Sequence, residues 1–167
     1  MPRAETLPQI ACIALGSNLG DRRAAIENAS AKIATLPGTT PRAMSTLIET
    51  APVGPPGQGD FLNAAASIET TLSPRALLDA LLRIEQSLGR VRGRRWGPRT
   101  IDLDLILFGD LILDEPGLTV PHPMFRERLF VLGPLAEIEP GMTDPVTGRS
   151  VLQLLADRRV ACGGIER

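Results

Sequence analysis

Residues 90–110 read RVRGRRWGPRTIDLDLILFGD, a run of arginines that passes through Gly97-Pro98 into an apolar segment closed by Gly109-Asp110. Residues 101–108 are dominated by Ile and Leu between turn-forming residues, which predicts a buried β-strand. Side chains at i and i+2 of a strand share a face, so Asp102 and Asp104 are expected side by side, their Cβ atoms about 7 Å apart. A helix would set them on opposite sides. Two carboxylates on one face of an apolar strand are costly to desolvate and repel each other unless a cation sits over them. Arginine or Mg²⁺ can be that cation.

The arginines before the strand, Arg90, Arg92, Arg94, Arg95 and Arg99, fall in a segment whose Gly and Pro content predicts a loop. Guanidinium forks match phosphate oxygens bidentately. A carboxylate pair suited to a hard divalent metal, next to an arginine loop, suggests a metal-polyphosphate substrate such as MgATP. The alternative is a strand whose Asp residues pair with neighbouring arginines for structural reasons alone.

The chain has 167 residues, the size of one domain, and a single domain over 1–167 is expected, with 1–8 and 157–167 as loosely ordered tails. A net charge of −1 with 43% hydrophobic residues argues against both a disordered chain and a generally basic nucleic-acid binder. The basicity is local. Lys32 is the only lysine among 18 cationic residues, and no Gly-rich run ends in Lys-Ser or Lys-Thr, which excludes a P-loop. Cys12 and Cys162 are expected as free thiols in a reducing cytoplasm. No apolar segment has the length of a signal or membrane span, so no membrane association is expected.

Towards the N-terminus, residues 9–15 (QIACIAL) predict a strand that breaks into Gly16-Ser17-Asn18-Leu19-Gly20. That loop either binds an anion at the following helix or is a plain turn. Asp21 caps the helix, and Ala25, Ile26, Ala29, Ile33 and Leu36 form its apolar stripe up to Pro37-Gly38. Strands are expected over 44–50 and 61–70, as a hairpin. The intervening APVGPPGQGD (51–60) is too rich in Gly and Pro for a tight turn, and either wraps a flat ligand or merely connects. Phe61 and Asn63 share a strand face, where a ring can stack and an amide can read a heterocycle edge, although a strand aromatic is also ordinary core. Ser73-Pro74 starts a helix with Leu77, Leu78, Leu81, Ile84 and Leu88 as its stripe and Gly89 as its end. Glu85, in the last turn, either orients the arginines, contacts a ligand or is a solvated surface residue.

Towards the C-terminus, residues 111–113 predict a short extra strand, and 117–123 (GLTVPHP) a loop carrying His122, the chain's one histidine. Short helices are expected over 130–138 and 150–156. The order strand, helix, strand, strand, helix, strand is that of an α+β, ferredoxin-like βαββαβ core with an extra C-terminal strand and helices. Such a sheet can also present aromatics to RNA, but aromatics are few here and the charge is slightly negative.

With these segments side by side, the chain resembles the 6-hydroxymethyl-7,8-dihydropterin pyrophosphokinases of folate biosynthesis. The likeness lies in RWGPRTIDLDLI (95–106), ALGSNLGDR, TAPVG with DFLNAA, EQSLGRVR, and LTVPHP followed by Arg128-x-Phe130, in family order from about residue 11 to 140. It departs locally where Pro123 follows His122 and Ala51 follows Thr50. The resemblance implies transfer of the β,γ-pyrophosphoryl group of ATP to the pterin hydroxymethyl oxygen with release of AMP. It implies that Asp102 and Asp104 hold two Mg²⁺ ions and that Arg90 and Arg92 close over the site as catalytic residues. Glu85, Arg92, Arg95, Trp96, Arg99, Leu118, Thr119, His122 and Arg128 match ATP-contacting positions. Thr50, Val53, Gly54, Phe61, Asn63, Trp96 and Phe130 match the pterin pocket, Phe61 and Phe130 sandwiching the ring. A cytoplasmic monomer is expected, with ATP and the pterin as its only partners and no nucleic acid.

Overall fold

The structure, a computed structural model, describes residues 6–52, 56–89 and 100–163. Along them run β1 (Gln9–Ser17), α1 (Arg22–Ala34), β2 (Thr39–Met44), β3 (Ile48–Thr50), β4 (Phe61–Thr70), α2 (Pro74–Ser87), β5 (Asp102–Phe108), β6 (Leu113–Glu115), β7 (Leu118–Val120), α3 (Leu129–Ile138) and α4 (Val151–Ala161), with a 3-10 turn at Phe125–Glu127. The main sheet is antiparallel in the order β2-β4-β1-β5, with β3 also paired to β4, and β6 and β7 form a separate two-stranded sheet.

The central strands are apolar on both faces because both are covered. Ile13 and Leu15 of β1, Ala66 and Ile68 of β4, and Leu103 and Leu105 of β5 pack against Ile26 and Ile33 of α1 and Leu77 and Leu81 of α2. Cys12, Ala65 and Leu107, pointing the other way, pack against Val131, Leu132 and Leu135 of α3 and Leu154 and Leu155 of α4. Burial raises the pKa of the Cys12 thiol, so it sits protonated in that second core. Both cysteines are free thiols, as expected.

The helices begin where capping chemistry places them. Asp21 accepts the Ala24 N–H, Ser73 accepts the Ala76 N–H with Pro74 next in line, and Ser150 with Gln153 makes a reciprocal capping box. Strand β4 matches the expected 61–70, and β5 starts one residue later than expected, at Asp102.

Three expectations are corrected. The strand expected over 44–50 is only β3 at its end, while β2 begins five residues before it at Thr39 and shares Met44 alone; between the two, the Ser45 backbone N–H donates to Ala65 O and its hydroxyl accepts the Ala65 N–H at 2.8 Å. Second, the last extra strand begins at Leu113, two residues later than its expected start, and pairs with β7 inside what reads as a proline-rich loop. Third, α4 runs through Ala161, five residues beyond the expected end at 156. Arg149 grips the Asp157 carboxylate with both arms and holds the helix past that point.

Candidate active site

The site is built on an irregularity in β5. Cys12 of β1 pairs with Leu107 while Ile13 pairs with Leu105, so Ile106 is an extra residue, a β-bulge. The carbonyl of Ile106 accepts the backbone N–H of His122 at 2.9 Å, which ties the segment after β7 to the middle of β5. On the N-terminal side of the bulge the strand alternates: Leu103 and Leu105 are buried towards α1 and α2, and Asp102 and Asp104 are half-buried on the opposite face. That face opens into a cavity of about 540 Å³, within the 300–1,000 Å³ range of small-molecule sites.

Thr50, Phe61, Asn63, Asp102, Asp104, His122, Arg128 and Phe130 all line this cavity, so eight of the expected residues meet there. The main-sheet residues arrive by strand period. Asn63 stands opposite Gly16 in the β1–β4 ladder, and Asp102 stands opposite the same Gly16 in the β1–β5 ladder. A Cβ at Gly16 would come within 3.3 Å of Asn63 Oδ1 and 3.6 Å of the Phe61 ring, so glycine leaves room there for both side chains. Asn63 is buried, and its Nδ2 donates to Thr50 Oγ1 at 2.7 Å, which fixes the amide. Phe61 and Phe130 are both half-buried in the lining, and the Arg128 guanidinium lies 5.8 Å from the Phe130 ring centroid.

Loops around the cavity are tied to the same framework. Asn18 Nδ2 donates to Gln58 Oε1 at 3.1 Å and Gly59 O at 3.3 Å, joining the GSNLG segment to the loop before β4. Ser17 Oγ donates to Thr100 O at 2.6 Å, holding the entry to β5 against the end of β1.

His122 has a defined protonation state. Its Nδ1 accepts the Met124 N–H at 3.1 Å, so Nε2 is left to carry the imidazole proton. Burial first, and then the charge of Arg128, lower its pKa below the ordinary 6.5, against a smaller raising effect of Asp102. The ring is therefore a neutral donor at pH 7.

Other expected residues lie elsewhere. Glu85 is not the solvated surface residue that one reading allowed: it is 2% exposed, and its Oε2 accepts the Leu103 N–H between the two aspartates. Leu118 points into the core packed with α1 and α2, and Thr119 donates to Asp114 Oδ1 at 3.2 Å; neither lines the cavity. Val53, Gly54, Arg90, Arg92, Arg95, Trp96 and Arg99 lie outside the described residues. Sequence reasoning missed Arg158 of α4 and Glu127, which both line the cavity. Arg158 gave no signal, being one of several charges in an apparently polar tail.

Among the described residues no three His, Cys, Asp or Glu side chains gather as a metal cage. Asp102 and Asp104 nevertheless fit Mg²⁺, which is commonly held by one or two carboxylates and completed by water and substrate phosphates.

A sequence model described as 7,8-dihydro-6-hydroxymethylpterin-pyrophosphokinase (HPPK) matches residues 12–140, a span that holds every cavity-lining residue named above except Arg158. The chain belongs to this family. A 2-amino-4-hydroxy-6-hydroxymethyldihydropteridine pyrophosphokinase of Pseudomonas aeruginosa is 48% identical over 157 residues, 93% of this chain and 94% of the relative's length. One from Bacillus subtilis is 50% identical over 129 residues, 77% of each chain. Among solved structures, the wild-type HPPK-DHPS of Plasmodium falciparum with pterin and p-hydroxybenzoate superposes with a TM-score of 0.75 at 16% identity, covering 98% of this chain. This chain spans about half the length of those HPPK-DHPS chains, 44% in that case, and at such low identity the likeness shows a shared fold alone. Among the described residues no helix is long and apolar enough to cross a membrane.

Proposed function

We propose that this cavity is where a pyrophosphoryl group passes from ATP to the hydroxymethyl oxygen of 6-hydroxymethyl-7,8-dihydropterin, giving the pterin diphosphate and AMP in folate biosynthesis. Family membership supports the reaction class, an ATP-dependent diphosphotransferase. The observation that carries the reading is that two carboxylates, a neutral imidazole and two phenyl rings surround one cavity.

In the reaction, the hydroxymethyl oxygen bonds to the β-phosphorus as the bond from that phosphorus to the α-bridging oxygen breaks. AMP leaves with the electron pair, and the hydroxyl proton is released. Asp102 and Asp104 would hold two Mg²⁺ ions, which when bound would screen the phosphate chain from the incoming oxygen. His122 donates its Nε2–H to a phosphate oxygen, and Arg128 adds a fixed positive charge. Phe61 and Phe130 stack on the pterin, whose polar edge is read by Asn63, steadied by Thr50, and by the chain at Val53 and Gly54. Arg90 and Arg92 contact the transferred group, and Arg95, Trp96 and Arg99, with Glu85, Leu118 and Thr119, make the remaining nucleotide contacts. MgATP binds first and the flat pterin then enters the slot, displacing water that would compete for the phosphoryl group. No side chain stands out as a general base, and positioning with charge screening suffices for such a transfer. The framework is a single ferredoxin-like domain acting as a cytoplasmic monomer.

Incubation with MgATP and the pterin tests this. AMP is expected in step with pterin consumed; accumulation of ADP, or of neither nucleotide, would sink the reading.

A further inference from the structure

Arg158, in the last turn of α4, lines the cavity, as Arg128 and Phe130 do. Its neighbours in sequence and space are paired or solvated: Asp157 is held by Arg149, Arg126 is held by Asp144, and Arg159 is exposed. Arg158 differs. Its Nε is buried, with no hydrogen-bond partner among the described residues, and it has no ion pair there, although Glu127 lines the same cavity. A guanidinium has five donors and no acceptor, and a desolvated N–H is retained at a cost unless an acceptor arrives. A favourable interaction with the C-terminal end of α4 accounts for a cation in this turn, but Arg159 serves that purpose from solvent.

We propose that the Arg158 guanidinium, which lines the cavity and has no ion pair among the described residues, takes the phosphate chain of the nucleotide as its acceptor, so that it is a binding residue alongside Arg128. This rests on the pyrophosphokinase reading. The phosphate chain is favoured over the pterin because a fork of N–H donors matches anionic phosphate oxygens. The pterin edge already has Asn63, held by Thr50, within the sheet.

The test is calorimetric binding to the full chain of a MgATP analogue with methylene between the α- and β-phosphorus, and then of the pterin to the chain saturated with that analogue. Arg158→Ala is expected to weaken the nucleotide about tenfold, a typical loss for one charged hydrogen bond, and to leave pterin affinity within about twofold. Arg158→Lys keeps the charge but lacks the planar fork of donors, and is expected to fall between; it also serves if the alanine variant melts early. Arg159→Ala, which removes the exposed charge from the same turn, is expected to bind as the wild type does. Nucleotide binding by both Arg158 variants equal to wild type overturns the proposal, as does a loss confined to the pterin. A weakened Arg158→Ala beside a wild type that makes no AMP would sustain the contact while sinking the reaction.

Discussion

His122 shows how one residue's surroundings set its chemistry. Its backbone N–H is spent on the Ile106 carbonyl and its Nδ1 on the Met124 N–H, so Nε2 is left as the ring's donor. Burial and Arg128 keep it neutral. Between its lowered folded value and the ordinary 6.5 the unfolded chain binds more protons than the folded one. The stability contribution is therefore intact above 6.5 and is lost as pH falls through that window. Because the chain has one histidine, an NMR titration reads it without assignment: the imidazole is expected to titrate below 6.5 in the folded protein. A midpoint at 6.5 or higher would contradict the neutral-donor role. The aspartates were legible at this scale, since period-2 spacing alone puts Asp102 and Asp104 together. Arg158 was not, because nothing local separates a cavity-lining arginine from a solvated one.

At the scale of elements, the wall opposite the sheet depends on Asp144, which is fully buried in the turn before α4 and held by both arms of Arg126 from the 3-10 turn. Burial raises its pKa, but the hydrogen bonds from Arg126, Thr147 and the Val146 N–H outweigh that and leave it lowered. Arg126→Ala leaves a buried carboxylate without its cation, which is expected to cost about 3 kcal/mol. Urea unfolding at pH 7 checks this. In the wild type the Asp144 contribution is present above the ordinary 3.8 and lost as pH falls through the lower folded value. Without the guanidinium, acid sensitivity is expected to begin at higher pH. An Arg126→Ala midpoint and acid profile equal to wild type would refute the link. The elements themselves were unequally legible. Strand β4 and helix α2 carry strong apolar patterns and a capping signal, and both were readable from sequence. Strand β2 lies at the edge of the sheet, largely exposed, with Pro41 inside it, so it has no apolar alternation to read. The bulge at Ile106 was invisible for another reason: ILF is apolar throughout, and a one-residue register shift leaves no mark in such a run.

For the molecule as a whole, the sheet is covered by α1 and α2 on one face, and on the other α3 and α4 leave the cavity open above the ends of β1, β4 and β5. The first face is wholly core, and the second is shared between a smaller core and the cavity. The account therefore requires metal, phosphate chain and pterin to meet within that single cavity. Mn²⁺ in place of Mg²⁺ makes this measurable, as paramagnetic relaxation of the pterin protons in a complex with the non-reacting ATP analogue. The hydroxymethyl protons are expected to relax strongly, and the effect to vanish in the Asp102→Asn, Asp104→Asn double variant while pterin still binds. Bound pterin whose protons relax no faster with Mn²⁺ than with Mg²⁺ would contradict the account.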